Sequence, residues 1–183
     1  MNKNQAKKIA VVGLLIAVAY VTLYYIRIPI IPSASFLRLD VKDVFIAMAG
    51  LLFGPSYAFA GGFCVSLLQM LSVSEYGIIG LAMNVLSVSS FVVPVSIMYK
   101  KKPNNSGLIS GLLISCFAMV VTMLLWNYLI SPLYMGVTRD VIKTMLIPVF
   151  LPFNAIKSTV NAVIVYILFT YMKKVGIIQK WIM

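Results

Sequence analysis

Residues 107–130 read GLISGLLISCFAMVVTMLLWNYLI, a stretch without a charged side chain. A helix needs about 20 apolar residues to cross the hydrocarbon core of a bilayer, so this stretch is long enough for one complete crossing. The whole chain has the same character: 62% of its 183 residues are hydrophobic, 10% are charged, and the mean hydropathy is +1.02. Soluble domains are about 45–50% apolar and about 25% charged. The composition therefore predicts an all-α integral membrane protein with a single domain, residues 1–183.

Five further apolar stretches flank this one, and together they predict a bundle of six transmembrane helices. They are residues 9–26, 41–54, 57–73, 76–99 and 144–172. The stretch 41–54 is short for a full crossing, and it begins with Lys42 and Asp43. If it is re-entrant, the number of crossings is five. Pro55 is expected to turn the chain between the second and third helices.

The distribution of charge predicts that both termini are cytoplasmic. With six crossings and a cytoplasmic N-terminus, nine lysines face inside: Lys3, Lys7, Lys8, Lys100, Lys101, Lys102, Lys173, Lys174 and Lys180. Five basic residues and all four acidic residues face outside: Arg27, Arg38, Lys42, Arg139, Lys143, Asp40, Asp43, Glu75 and Asp140. This asymmetry follows the positive-inside rule. It explains the net charge of +11 without nucleic acid as a partner. The longest loops, residues 27–40 and 131–143, are both expected outside.

Polar side chains in the last predicted helix indicate a ligand pocket. Asn154, Lys157 and Asn161 have the spacing i, i+3, i+7, so they share one face of a helix. A lysine at the centre of a transmembrane helix costs about 2.5–3.5 kcal/mol on insertion scales, and such residues normally face a polar cavity or a partner. The alternative is a structural lysine that snorkels or pairs with a buried carboxylate.

Other polar residues are candidates for the same pocket. Asn127 ends the fifth apolar stretch, and a carboxamide both donates and accepts hydrogen bonds. Arg38 and Tyr134 lie in the two predicted outer loops, where aromatic and charged groups suit a flat heterocycle. Asn84 is predicted either to touch the ligand or to bond another helix.

A stripe of small residues follows the first helix. Ala6, Ala10, Gly13 and Ala17 share one face and let another helix approach closely. The stripe begins among cytoplasmic lysines, which favours docking of a partner. Packing within the protein is the alternative.

The sequence offers little support for catalysis. It has no His, no Walker A motif, no HExxH motif and no nucleophile elbow. We therefore predict no enzyme activity, no catalytic residue, no metal site and no cofactor.

The chain resembles the substrate-binding membrane subunits, or S components, of energy-coupling factor (ECF) vitamin transporters. The motifs that carry the resemblance span most of the chain: AKKIA at 6–10, FLRLD at 36–40 with Asp43, GLLFGP at 50–55, IGLAMN at 79–84, LWNY at 125–128 with PLY at 132–134, and LPFNAIK at 151–157. The resemblance implies a six-helix, multi-pass protein of the bacterial cell membrane that binds a vitamin or a precursor at its outer side. It also implies a transmembrane coupling subunit (T component) and two ATPase subunits as partners, with Ala6 and Ala10 matching the motif that meets the coupling subunit.

The branches that look most similar are the riboflavin S components and a group assigned to vitamin B6 or hydroxymethylpyrimidine. Asn127, Asn154 and Lys157 match positions that contact riboflavin in the first branch. Arg38 and the sequence LQM at 68–70 depart from that branch, and residues 126–136 look more like the second. We therefore expect vitamin B6 or hydroxymethylpyrimidine as the ligand, with riboflavin as the alternative. A stand-alone secondary vitamin carrier is a further alternative, and a membrane enzyme acting on lipid is a weaker one.

Overall fold

The computed structural model describes residues 3–73 and 76–178, with no description of the Lys3 side chain. The predicted outer position of Glu75 and the predicted inner position of Lys180 lie outside these residues. Seven α-helices and a short ribbon make up the described chain: α1 (Lys3–Tyr25), β1 (Ile28–Pro29), β2 (Arg38–Leu39), α2 (Lys42–Phe53), α3 (Pro55–Ser72), α4 (Gly77–Lys101), α5 (Asn105–Met135), α6 (Arg139–Met145) and α7 (Leu151–Lys174).

Each of the six predicted stretches is helical. Within the described ranges, four helical stretches are long and apolar enough to cross a membrane: Asn4–Tyr25, Gly77–Lys101, Asn105–Met135 and Arg139–Lys174. The helix α2 has 12 residues, which corresponds to roughly 18 Å at 1.5 Å per residue and is shorter than a bilayer core of about 30 Å. The prediction of a helical membrane bundle is therefore confirmed, while the number of complete crossings stays a prediction.

The short helices α2 and α3 are joined by a tight turn at Gly54 and Pro55. Gly54 has φ +103°, a conformation that glycine adopts without steric cost, and Pro55 occupies the first turn of α3. Close packing holds this pair against α4, because a Cβ atom on Gly50 would collide with Ser96 of α4 and with Ala58 of α3. The predicted turn at Pro55 is confirmed.

The predicted outer loop 131–143 is wrong. The helix α5 continues through Pro132 to Met135, and α6 begins at Arg139, so that only three residues separate the two helices. Gly136 ends α5 with φ +65°, in the left-handed conformation of a helix C-cap. A π-helical turn, Leu146–Phe150, joins α6 to α7 and contains Pro148. The last helical stretch therefore begins at residue 139 instead of 144.

The first predicted loop contains the antiparallel β1–β2 ribbon, in which Ile28 pairs with Leu39 and Pro29 with Arg38. The apolar core lies beneath it, between the helices. Tyr99 of α4 and Phe169 of α7 pack edge to face there, with their ring centroids 4.9 Å apart. The ribbon and the core leave one end of the bundle open to a cavity.

Candidate functional site

A cavity of about 260 Å³ lies at the end of the bundle where the ribbon meets α3, α4, α5 and α7. We call this the cavity end. Its lining combines aromatic, amide and charged side chains, which is typical of a site that holds a small molecule by a few directed hydrogen bonds. The lining residues are Arg27, Ser35, Phe36, Leu37, Arg38, Asp40, Gln69, Val73, Tyr76, Met83, Asn84, Ser87, Met123, Asn127, Tyr134, Phe153, Asn154 and Lys157.

Four buried charges lie at one side of this cavity, and we call them the buried charge cluster: Asp40, Lys42, Asp43 and Lys157. The Lys157 ammonium donates to Asp40 Oδ2 at 2.8 Å, and Lys42 Nζ lies 3.3 and 3.4 Å from the two oxygens of the same carboxylate. Lys42 Nζ is 3.6 Å from Asp43 Oδ1, and Lys157 Nζ is 3.9 Å from Asp43 Oδ2. The cluster contains two positive and two negative side chains, so its formal charge is zero.

Asp40 is the centre of the cluster, and it precedes α2 in the chain. Burial by itself would raise the pKa of Asp40, but the positive charges of Lys157 and Lys42, with their hydrogen bonds, outweigh that effect. The pKa of this carboxyl group therefore lies well below its ordinary value, and Asp40 is ionised at neutral pH.

Four buried carboxamides line the cavity, and the three that are asparagines are each held by their own helix. Asn84, Asn127 and Asn154 donate from Nδ2 to the carbonyl oxygen four residues earlier, at 2.9, 2.7 and 2.7 Å. These bonds fix the direction of each amide while leaving its second N–H outside the bond, since a carboxamide has two N–H donors. The three amides can therefore read a pattern of donors and acceptors on a ligand.

A chain of hydrogen bonds within α5 ends at Tyr134, which forms part of the aromatic wall of the cavity. Ser131 Oγ donates to Asn127 Oδ1 at 2.8 Å and lies 2.8 Å from the Tyr134 hydroxyl. The Tyr134 ring packs on Tyr76, with centroids 4.7 Å apart. On another side of the cavity, the ring centroids of Phe150 and of Phe36, in the loop between the strands, are 6.4 Å apart. Aromatic faces of this kind stack on flat heterocycles.

Six of the seven predicted binding residues line this cavity: Asn127, Asn154, Lys157, Tyr134, Arg38 and Asn84. Tyr134 belongs to α5 and not to an outer loop, but it still reaches the cavity. Asn161 is fully buried and does not line the cavity. It lies one helical turn beyond Lys157 on α7, and its role in ligand binding stays a prediction.

The sequence did not identify Met123 or Ser87 as lining residues. Helical spacing could have done so, because Met123 precedes Asn127 by four residues and Ser87 follows Asn84 by three. The role of Asp40 could not be found in this way, since it is 117 residues from Lys157. Lys157 lines the cavity and also pairs with a buried carboxylate, so both interpretations of this lysine are compatible with its position.

The stripe on α1 lies away from the cavity. Ala10, Gly13 and Ala17 are exposed, Ala6 is half-buried, and a Cβ atom on Gly13 would meet no atom within 4 Å. The stripe is therefore accessible to another helix.

Comparison with known proteins identifies the class of this bundle. The family described as the substrate-specific component of ECF transporters matches residues 7–169. The chain belongs to this family, and it is therefore a multi-pass membrane component of a transporter and not an enzyme.

Individual relatives match this chain over nearly their full lengths. The chain is 30% identical to the riboflavin transporter FmnP of Bacillus subtilis over 178 residues, covering 92% of this chain and 93% of the relative. It is 29% identical to the riboflavin transporter RibU of Staphylococcus aureus, with 92% of each chain covered. A solved structure of the S component of a bacterial ECF transporter superposes with a TM-score of 0.78 at 29% identity, covering 93% of this chain and 97% of that one.

Proposed function

We propose that this S component captures riboflavin at the outer face of a bacterial cell membrane for ATP-driven uptake. The observation that carries the proposal is the convergence of Asn84, Asn127, Asn154 and Lys157 on one cavity with stacking aromatic rings. The flavin ring is flat, and one of its edges alternates carbonyl oxygens with ring nitrogens and an imide N–H. Fixed carboxamides and an ammonium group match such an edge.

The relatives favour riboflavin over the vitamin B6 or hydroxymethylpyrimidine ligand that the sequence suggested. Two riboflavin transporters match more than nine-tenths of this chain. The departures from the riboflavin branch at Arg38 and at residues 68–70 are therefore weak arguments against riboflavin. Arg38 is exposed at the edge of the cavity, where a change of side chain leaves the buried amides untouched. We therefore take riboflavin as the proposed ligand and vitamin B6 as the competitor to be tested.

The assembly proposed for this chain follows the family. The S component would work with a transmembrane coupling subunit and two ATPase subunits, because the chain itself has no ATP-binding motif. The exposed stripe Ala6, Ala10, Gly13 and Ala17 would be the contact for the coupling subunit. Six crossings, with both termini in the cytoplasm, would place the cavity end outside.

A binding titration tests the ligand. The purified protein is titrated with riboflavin while flavin fluorescence is followed, and pyridoxine and hydroxymethylpyrimidine are added as competitors. We expect saturable quenching by the protein that an excess of either competitor leaves unchanged. Binding of pyridoxine without binding of riboflavin would restore the vitamin B6 hypothesis and overturn ours.

An uptake assay tests the assembly. Riboflavin uptake is measured in cells that produce this chain with and without the coupling subunit and the ATPases. We expect uptake only when all partners are present. Uptake by the chain alone would instead support a stand-alone carrier.

A further inference from the structure

Two members of the buried charge cluster lie behind the cavity and do not line it. Lys42 and Asp43 are 1% and 0% exposed, at the start of α2. Neither Asp43 oxygen has a hydrogen-bond partner among the described residues, so this carboxylate acts on its neighbours through charge alone. Buried charges without good hydrogen bonds are costly, and their presence calls for a reason.

These charges bear on how strongly the carboxylates attract the Lys157 ammonium. Its ammonium has three N–H donors, and one of them points to Asp40 at 2.8 Å. Its contact with Asp43, at 3.9 Å, is too long for a hydrogen bond. Donors thus remain for a ligand in the cavity, provided that the two carboxylates do not draw the ammonium away from it.

Lys42 is placed to oppose that displacement. It lies within 3.3–3.6 Å of an oxygen of both Asp40 and Asp43, so it shares the neutralisation of both carboxylates with Lys157. Without Lys42 the cluster would carry a net charge of −1, with Lys157 as the one cation left in it beside two buried anions. The ammonium would then pair more closely with the carboxylates at the expense of the ligand.

We propose that Lys42 and Asp43 are positioning residues for ligand binding, because they hold the buried charge cluster at zero net charge and keep the Lys157 ammonium available to a neutral acceptor on the ligand. The inference rests on the proposed function only in taking a small molecule as the occupant of this cavity. It also defines the chemistry of that contact. A carbonyl oxygen at Lys157 leaves the cluster neutral, whereas a carboxylate or phosphate there would give the cluster and the ligand together a net negative charge.

Charge compensation tests the proposal. Riboflavin affinity and thermal stability are measured for Lys42→Met, for the double variant Lys42→Met/Asp43→Asn and for Lys42→Arg. We expect Lys42→Met to weaken binding by about tenfold to a hundredfold, which is the range of one charge-assisted hydrogen bond. The double variant restores zero net charge and should recover most of that loss, and Lys42→Arg should bind better than Lys42→Met.

The chain offers a matched control in the exposed ion pair of α6, where Lys143 Nζ lies 3.0 Å from Asp140 Oδ1 and neither residue lines the cavity. Lys143→Met and Lys143→Met/Asp140→Asn make the same chemical changes and should leave affinity unchanged. If Lys42 only filled space, adding Asp43→Asn to Lys42→Met would not restore affinity, since that change adds no volume at residue 42.

Three results would overturn the proposal: wild-type affinity in Lys42→Met, a folded double variant that binds as weakly as Lys42→Met, or failure of both variants to fold. If only Lys42→Met fails to fold, the double variant decides by comparison with the wild type: affinity within about tenfold supports the proposal, and a larger loss overturns it. If the wild-type protein binds pyridoxine and not riboflavin, the proposed ligand fails. The same variants titrated with pyridoxine then still test the role of Lys42 and Asp43.

Discussion

Lys157 is the residue at which ligand binding and folding are most closely joined. If Lys157 had no carboxylate partner, its removal from the membrane interior should relieve a cost of about 2.5–3.5 kcal/mol. The structure gives this lysine a carboxylate partner at 2.8 Å, Asp40. We therefore expect Lys157→Met to lower both ligand affinity, by about tenfold to a hundredfold, and the melting temperature. A titration and a thermal melt of the purified variant measure the two effects.

The two effects of Lys157→Met can be separated by also changing its partner. In Asp40→Asn/Lys157→Met, the ion pair between these residues is absent and Lys42 and Asp43 balance each other. We expect thermal stability to recover towards the wild type in this double variant while ligand affinity stays low, because the donor to the ligand is still missing. Unchanged affinity in Lys157→Met would contradict a role of this ammonium in binding.

Asn154 and Asn161 lie on the same helix and make a matched pair of variants. Asn154 lines the cavity, and a neutral hydrogen bond contributes about 0.5–1.5 kcal/mol, so Asn154→Leu should weaken binding by roughly twofold to tenfold. Both amide atoms of Asn161 are buried without a hydrogen-bond partner among the described residues. Asn161→Leu should therefore leave affinity unchanged and preserve or raise the melting temperature. Weaker binding in Asn161→Leu than in Asn154→Leu would contradict the position of the site.

At the scale of elements, hydropathy predicted the helices well because long apolar runs have few other structures open to them in a membrane. It failed where polar residues continue a helix. Ser131 and Pro132 suggested a loop, yet α5 runs through both to Met135, and the Ser131 hydroxyl bonds Asn127 and Tyr134 within it. Helical spacing also placed Asn154 and Lys157 on one face correctly. It could not reveal the partner Asp40, because that contact depends on how α7 packs against the start of α2.

The exposed stripe on α1 leads to a prediction for this helix as a unit. Because no atom lies within 4 Å of a Cβ atom placed on Gly13, the double variant Ala10→Trp/Gly13→Trp should fold and bind ligand normally. It should lose uptake in the presence of the coupling subunit and ATPases, since bulky side chains prevent close helix approach. Binding titrations and uptake assays on the same variant measure the two outcomes.

The control for this prediction has to lie away from the stripe. Leu14 cannot serve, because it is i+4 from Ala10 and lies beside the stripe. Leu113 of α5 is 66% exposed, so Leu113→Trp adds bulk at an exposed position outside the stripe. We expect Leu113→Trp to transport normally. Equal loss of uptake in both variants would mean that uptake is sensitive to added bulk on any exposed helix face, and it would remove the stripe as a specific docking surface.

At the scale of the whole molecule, the two ends of the bundle differ in charge. The cavity end collects the C-terminal ends of α3 and α5 and the N-terminal ends of α4 and α7. The described lysines at the other ends of the helices have no acidic residue near them in the sequence: Lys7, Lys8, Lys100, Lys101, Lys102, Lys173 and Lys174. Three of the four acidic residues of the chain, Asp40, Asp43 and Asp140, precede or begin helices at the cavity end.

This asymmetry predicts that the cavity end faces outside, since cytoplasmic segments carry the excess of lysine and arginine. Single cysteines test the orientation in intact cells with a membrane-impermeant maleimide, after Cys64 and Cys116 have been replaced. Thr138→Cys lies between α5 and α6 and should be labelled directly. Pro103→Cys lies between α4 and α5 and should be labelled only after permeabilisation; it is preferable to Asn104, whose side chain caps α5 by accepting from the Gly107 N–H at 2.8 Å. The reverse labelling pattern would invert the bundle and place the cavity on the cytoplasmic side, where it could not capture a vitamin from outside the cell.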